Sequence, residues 1–531
     1  MKTNYYAIFI SLLAILFGIN SVNAATNIPL PVIPTTQFLV TNYGAKTTNT
    51  DNASYINAAI TAANAAGGGT VVLPAGTFLS GPITMKNNVN LYLAAGDTLR
   101  ILPYGSGNGT VAGTYPNNGT TDQYNPFIYG KSLSNIEVSG SGVIDGQGSA
   151  WWTAYASNSN MKRPSLIRFV ACNTVWITGI TLMNSPGVHL TLGQSSTMGS
   201  NGTISYVTIK APSTSPNTDA IDTWYWNGIY IHDCNLSEGD DNVAMDTNTK
   251  NITIKHCTLG TGHGISVGSY ATGVNTVTVD SCTFNGTTNG IRLKASRDRG
   301  GSGANACYNL SYSNITMQNV TWPFYITSYY PTSSPSKTDT AQAITAATPT
   351  WRNIYFKNIT VTGSTYAGFI WGLPEQLVKD VVFDNVQISA TTRGMQIVHA
   401  DSVIFKNCSS ITLPSGKGNA IYSPYDTIRV SGINPTTGKS TSCTTSAIEE
   451  VKADGAVTCY PNPAQDYVMI SSDEAIAEIK LYSLTGTQIR DINAGNENQY
   501  SLDLTSIPRG YYILNLLTAN GTLTSHKLLK Q

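Results

Sequence analysis

Charge is scarce in this chain. Only 11% of its 531 residues are charged, and 30 basic residues balance 30 acidic ones. With no net charge, no global field draws the molecule to nucleic acid or to an anionic membrane. Any hold on an acidic polymer must come from a local cluster of Lys and Arg. Long apolar runs are missing too, apart from one near the start. Lys2 precedes an apolar stretch from Ile8 to Phe17, and Val22-Asn23-Ala24 places small residues at cleavage positions. That run is too short to span a bilayer comfortably, and it reads as a signal peptide over residues 1–24. The eight cysteines fall into no zinc-binding spacing. Gly, Asn, Thr and Ser are abundant instead, a mix that suits short strands joined by turns better than long surface helices.

From about residue 175 to 410 one short phrase recurs. It runs Ile231-His232-Asp233-Cys234, Ile254-Lys255-His256-Cys257 and Val279-Asp280-Ser281-Cys282, then Tyr312 to Ile315, Phe356 to Ile359, Phe383 to Val386 and Phe405 to Cys408. Cys234, Cys257 and Cys282 stand 23 and 25 residues apart. A period in the twenties with short β-branched strands marks a solenoid, in which stacked coils bury each other's apolar sides. The last position of the phrase holds Cys, Ile or Val interchangeably. Cys234, Cys257, Cys282 and Cys408 are therefore expected as core thiols. Cys443 and Cys459 lie outside the repeats and form a candidate disulfide.

A second phrase carries the polar residues. With Ile221, Val243, Ile265 and Ile291 aligned as one inward position, Asp222, Ala244, Ser266 and Arg292 follow by one residue on the outer face. Trp224, Asp246, Gly268 and Lys294 follow by three. Two residues before stand Asp219, Asp241, His263 and Asn289. A buried stack of ionisable groups would be costly, so this column is placed at the turn entering each strand. Asp219, Asp241 and His263 are then expected one above another at the surface, about 5 Å apart, with Arg292 and Lys294 on the next coil.

The chain ends differ from the repeats. Asn52 to Ala65 reads as a short amphipathic helix that caps an open solenoid edge. Residues 427–449 are rich in Thr, Ser and Gly and read as a linker. Beyond it, Val468 to Ile470, Ile479 to Tyr482 and Tyr511 to Leu516 look like strands of a separate small domain. The expected class is all-β: a right-handed parallel β-helix over 25–426, then a small β-sandwich-like domain over 450–531.

Hydrolysis of a glycosidic bond needs one carboxylic acid to protonate the leaving oxygen and a carboxylate to activate water or attack carbon. Gly239-Asp240-Asp241, with Asp219 one coil away, supplies such a crowded group, and crowding keeps one proton bound to higher pH. Asp-Asp in a turn is by itself commonplace, and Asp222, Asp233 and Asp246 are read as structural. The joint presence of acids, His263 and two cations on one strip is what points to chemistry. Cations beside an acid cluster suit a substrate that carries carboxylates of its own.

The chain resembles the polygalacturonases of glycoside hydrolase family 28. Asn217-Thr218-Asp219, Gly239-Asp240-Asp241, Gly262-His263-Gly264 and Arg292-Leu293-Lys294 match that family's four motifs in order, with Leu293 where the family usually has Ile. Asp145-Gly146-Gln147-Gly148, Arg163-Pro164, Asn184-Ser185-Pro186 and His189 fit as well. Tyr330 occupies the family's active-site tyrosine position, with Tyr329 beside it, although Thr327-Ser328 departs from the commoner Asp-Gln. The resemblance implies a pectin-lyase-like β-helix that hydrolyses polygalacturonate. Asp240 would be the general acid, and Asp219 and Asp241 would activate water, with inversion at the anomeric carbon. His263 would tune the acid. Asn217, Arg292, Lys294 and Tyr330 would bind substrate, and no metal or other cofactor is implied. Endo action is favoured over exo, because no large insertion interrupts the motifs.

The end of the chain has its own resemblance. Tyr460-Pro461-Asn462-Pro463-Ala464, Gly486, Leu502-Asp503-Leu504 and Gly510-Tyr511-Tyr512 resemble the sorting domain of type IX secretion. It implies export by that machinery and a secreted or outer-surface location. The enzyme is expected to act as a monomer on pectin, with no nucleic-acid partner. Two rivals remain: a calcium-dependent pectate lyase, with Asp219, Asp240, Asp241 and Asp246 as an oxygen-rich site, and a non-catalytic solenoid that only grips pectin.

Overall fold

The computed structural model describes residues 28–107, 115–116, 125–332, 339–423, 429–441, 443, 457–483, 487–520 and 523–531. The signal-peptide segment and most of the second half of the linker lie outside them. The chain divides into two units, with the boundary between Cys443 and Thr444.

In the first unit 33 strands join in one hydrogen-bonded parallel system. Trp226–His232, Asn235–Ser237 and Val243–Met245 are followed by Lys250–Lys255, Thr258–Leu259 and Ile265–Val267. Each strand of the first set pairs in parallel with its counterpart in the second. The chain thus winds as coils of three strands stacked on one another, a parallel β-helix. The inward residues Ile229, Ile231, Leu236, Val243 and Met245 are fully buried, as are Ile252, Ile254, Leu259, Ile265 and Val267 above them. Each coil covers the apolar layer of the last. Helix α1 (Ala53–Ala65) buries Ile56, Ala59, Ile60 and Ala63 at the start of this core and packs on the first strands. It is the cap that the sequence suggests.

The recurring phrase has a backbone reason. Its third position is a left-handed turn in every coil, with φ 54° at Asp233, 53° at His256, 55° at Ser281, 54° at Asn314, 52° at Asn358 and 54° at Asn385. Asn tolerates that region best among non-glycine residues. Once adopted, the asparagines bond to one another, Asn358 Nδ2 to Asn314 Oδ1 at 3.1 Å and Asn385 Nδ2 to Asn358 Oδ1 at 3.0 Å. The fourth position is then turned inward, and Cys234, Cys257 and Cys282 are buried thiols as expected.

Cys408 breaks the pattern and corrects two expectations. It is bonded to Cys443, while Cys459 is a free thiol. The reason is local: Asn407 and Cys408 both have positive φ, 51° and 63°, so the inward position passes to Ser409. That side chain is fully buried, and its Oγ accepts from the Val386 amide at 2.9 Å. Cys408 is left facing outward, where Cys443 meets it. The stretch read as linker also begins within the solenoid. Val430–Ser431 pairs with Ala400–Lys406, because a composition rich in Thr, Ser and Gly marks turns as readily as linkers.

The second unit is a five-stranded antiparallel sheet built from Thr458–Tyr460, Tyr467–Ser483, Gln488–Asp503, Gly510–Thr518 and Leu523–Lys530. Two of the strands expected here fuse into the single long strand Tyr467–Ser483, broken by register shifts. Val468, Ile470, Ile479, Leu481, Leu514 and Leu516 form its core. The Tyr460-Pro461-Asn462-Pro463 motif is tied to the last strand: Asn462 Nδ2 donates to the Lys527 carbonyl at 2.6 Å, and its Oδ1 accepts from the Leu529 amide at 3.0 Å.

Candidate active site

One of the three strand stacks carries the polar columns. Its strands are β1 (Ile167–Val170), β2 (Leu190–Leu192), β3 (Ile221–Thr223), β4 (Val243–Met245), β5 (Ile265–Val267), β6 (Asn289–Lys294) and β7 (Trp322–Thr327), continued by the ends of β8 (Trp351–Trp371) and β9 (Val378–Val398). Ile221 pairs with Val243, Val243 with Ile265 and Ile265 with Ile291. This is the register expected from the sequence. The outward row runs Arg168, Thr191, Asp222, Ala244, Ser266 and Arg292. Asp219, Asp241 and His263 stand just before their strands, where alternation has lapsed. At Gly264 φ is +77°, and a Cβ there would come within 2.2 Å of the Asn289 carbonyl.

Asp241 is not at the surface as expected. It is 2% exposed, because cations from β6 fold over it. Lys294 Nζ is 2.6 Å from Oδ2, and Arg292 donates to Oδ1 at 3.2 Å. Ser266 Oγ donates to the same oxygen at 2.7 Å. Burial would raise its pKa, but Lys294 and then Arg292 outweigh it and hold the carboxyl below the usual range. Lys294 answers in kind: burial would discharge it, and Asp241 keeps it protonated. Asp241 is thus a fixed carboxylate at the base of the site.

Asp219 has the opposite environment. Burial first, then the charges of Asp222, Asp240 and Asp241, push its carboxyl well above the usual range. Its backbone is held by His189, which is fully buried. The His189 amide donates to the Asp219 carbonyl at 2.9 Å. The ring Nδ1 lies 3.2 Å from the Thr218 carbonyl and 3.1 Å from that of Asp219. Burial lowers the His189 pKa to about 4. The ring is therefore neutral, and carbonyl neighbours require Nδ1 to carry the proton.

Asp240 lies further out than Asp241, with a side chain 21% exposed. His263 Nδ1 lies 2.9 Å from its Oδ1, and Asn217 Nδ2 donates to Oδ2 at 3.3 Å. Asn217 is itself oriented by Arg163, whose guanidinium donates to Asn217 Oδ1 at 2.9 Å and to the Pro186 and Pro216 carbonyls. Tyr330 is brought to the site. Its ring centre lies 5.5 Å from the Arg292 guanidinium and 5.2 Å from Lys294 Nζ. Tyr329 turns away, and its hydroxyl donates to Asp339.

All eight residues singled out from the sequence meet here. Three more acids join them. Asp222, read as structural, is 8% exposed in the outward row with Oδ1 unpartnered. Burial, followed by Asp246, Asp241 and Asp240, pushes its carboxyl well above the usual range. Asp246 is raised to about 7 by burial, against a hydrogen bond from the Tyr270 amide. The register of Asp222 with Ala244 was the available signal for it. Glu238 is fully buried under the Gly239-Asp240-Asp241 turn and accepts from Asn242 Nδ2. No sequence signal marks it, since a Glu before a turn reads as solvated. The cluster can hold a proton on one acid and a charge on another within one patch, which is what acid–base hydrolysis requires. Asp240, Asp241 and His263 also bring one ligand atom each within 4.8 Å of one another. Lys294 and Arg292 already occupy both Asp241 oxygens, so this trio is a poor match for a cation.

Residues 69–409 match the profile described as Glycosyl hydrolases family 28, and residues 458–531 match the Secretion system C-terminal sorting domain. An endo-polygalacturonase of Pectobacterium carotovorum subsp. carotovorum is 35% identical over 321 residues, which covers 56% of this chain and 75% of that protein. An exopolygalacturonase of Zea mays is 31% identical, covering 62% and 78%. Among solved structures, a polygalacturonase from Erwinia carotovora ssp. carotovora superposes with a TM-score of 0.53 at 27% identity, over 77% of this chain and 100% of that one. The four motifs, the β-helix that stacks them into one acid patch and these likenesses agree: the chain belongs to glycosyl hydrolases family 28 and is a glycoside hydrolase that ends in a type IX secretion sorting domain.

Proposed function

We propose that this protein hydrolyses α-1,4-galacturonosyl linkages in polygalacturonate, endo-acting and with inversion, as a monomer exported after loss of residues 1–24. The observation that carries the reading is the placing of Asp219, Asp240 and Asp241 in one patch with Arg292, Lys294 and Tyr330 beside them. Relatives named endo-polygalacturonase at 35% and 34% identity support the substrate and the endo mode. Asp240 is the general acid, because its side chain is partly exposed where buried Asp241 is not and it is held by His263 and Asn217. Asp241, kept charged by Lys294 and Arg292, and Asp219 orient and deprotonate the attacking water. The acids titrate as a set. Asp219 and Asp222, whose carboxyls are raised, retain a proton within the cluster. Arg292 and Lys294 are shared between Asp241 and a galacturonate carboxylate, and the Tyr330 ring closes that side.

Digestion of polygalacturonate in excess chelator tests the reading. New reducing ends without an ultraviolet-absorbing unsaturated product, and a ladder of mixed oligomers, are expected. Unsaturated ends that depend on Ca²⁺ would replace it with a lyase. Galacturonate alone would replace endo with exo action.

A further inference from the structure

The column that holds Asp219, Asp241 and His263 does not stop at the acids. Its next member, Asn289, pairs with Trp322 on β7. Tyr325 pairs with Phe369, which sets Trp322 opposite Tyr366. Their rings stack face to face, with centres 3.9 Å apart and planes 21° apart. Tyr366 pairs in turn with Arg393 on β9, whose guanidinium lies 5.1 Å from the Tyr366 ring and 5.9 Å from the Trp322 ring. The outward row does the same. Arg292 pairs with Tyr325, whose ring stacks on Phe369 at 4.9 Å and 13°, and Trp322 meets Tyr325 edge-on at 5.8 Å. An aromatic strip therefore begins directly beside the Arg292–Tyr330 corner and ends at an exposed cation.

This strip is on the outside of the solenoid, so it adds nothing to the inner core. Tyr325, Phe369 and Trp371 form its packed base, Trp322 and Tyr366 are half-buried above it, and Arg393 is exposed. No carboxylate lies within ion-pair distance of Arg393 among the described residues, whereas Arg292, Lys294 and Arg297 all have carboxylate partners. A ladder of stacked rings that ends in a guanidinium with no carboxylate partner fits a sugar ring that carries a carboxylate. We propose that Trp322, Tyr366 and Arg393 form an outlying subsite for one uronate residue of the substrate chain. The proposal rests on the polygalacturonate reading. At about 4.8 Å per coil, Trp322 stands about 10 Å and Arg393 about 19 Å from His263 along the stack. Only a chain that extends well past the scissile bond reaches it.

The test compares kinetics on long polygalacturonate and on the shortest oligogalacturonide that the parent cleaves. Arg393→Ala raises KM for the polymer about two- to fivefold, the scale of an exposed ion pair, leaves kcat unchanged and leaves the short oligomer untouched. Arg393→Lys restores part of the loss. Trp322→Ala raises the polymer KM by about tenfold, the upper range for an aromatic contact, with its melting temperature recorded alongside. Arg393 is exposed, so its variants decide the matter if Trp322→Ala loses stability. An equal change on both substrates, or no change on either for Arg393→Ala, would overturn the subsite while the parent's turnover leaves the hydrolase reading intact. A parent that does not turn over polygalacturonate would remove both.

Discussion

Asp241 keeps its charge in a place where burial alone would take it away. Two cations from a strand two coils distant do this, and each answers to a variant. Lys294→Met leaves a buried carboxylate with only Arg292, which costs about 3–5 kcal/mol in denaturant unfolding, the usual penalty for breaking a buried pair. Because the folded pKa of Asp241 lies below its ordinary value, its contribution to stability is complete above that value and is lost as pH falls through the lower, folded pKa. In Lys294→Met the loss sets in at higher pH, which an acid titration of the unfolding midpoint detects. An unchanged acid midpoint would mean that Lys294 does not set the charge. In the proposed site Tyr330 presents its ring to Arg292 and Lys294. Tyr330→Phe is therefore expected to keep KM within about twofold, while Tyr330→Ala raises it by about two- to fivefold, the scale of a modest cation–π contact. Equal losses in both variants would assign the work to the hydroxyl.

At the scale of the element, the coil is the unit of stability. Ile254 is fully buried between Ile231 and Val279 in the coils on either side. Ile254→Ala should cost about 2–5 kcal/mol, measurable by denaturant titration. Asp97, at the start of the strand Asp97–Ile101, works the other way. Both of its carboxyl oxygens are buried, and burial, against the backbone amide of Thr98, raises its pKa to about 8. A raised carboxyl favours the folded state at low pH, and that advantage falls as pH rises from about 4 to 8, by up to about 1.4 kcal/mol per unit. Asp97→Asn should flatten that part of the stability profile. A parent profile that does not fall across this window would show that Asp97 ionises freely.

The same scale shows what could be read from the sequence. The inward register of Ile221, Val243, Ile265 and Ile291 was legible, because a step of one coil fixes which side chains stack, and the acids came with it. The depth of Asp241 was not, since it depends on cations folding back from β6. The Cys408 pairing was hidden for a backbone reason, the second consecutive left-handed residue that hands the core position to Ser409. Asp222 was legible in register but not in chemistry, because its raised pKa comes from burial and then from crowding, both of which only the folded cluster creates.

For the whole molecule, every residue of the site lies before the boundary at Cys443. The second unit matches a sorting domain, which points to export. A chain that ends at Cys443 should keep the parent's kcat on polygalacturonate and lose export from a type IX-competent host. Coupled loss of turnover would mean that the sheet from Thr458 to Lys530 supports the cleft. The cysteines give a global check of the fold as well. Alkylation of the denatured, unreduced protein should label six thiols, those of Cys172, Cys234, Cys257, Cys282, Cys307 and Cys459, and spare Cys408 and Cys443.

The central claim is that one acid patch, with Asp240 as its proton donor, does the hydrolysis. Its most direct test is initial-rate kinetics of the parent and Asp240→Asn on polygalacturonate in chelator, with both melting temperatures recorded. The account predicts that kcat falls about 10²- to 10⁴-fold, the share of a general acid, while KM and the melting temperature stay close to the parent's. An Asp240→Asn variant that folds and turns over within a fewfold of the parent would contradict it.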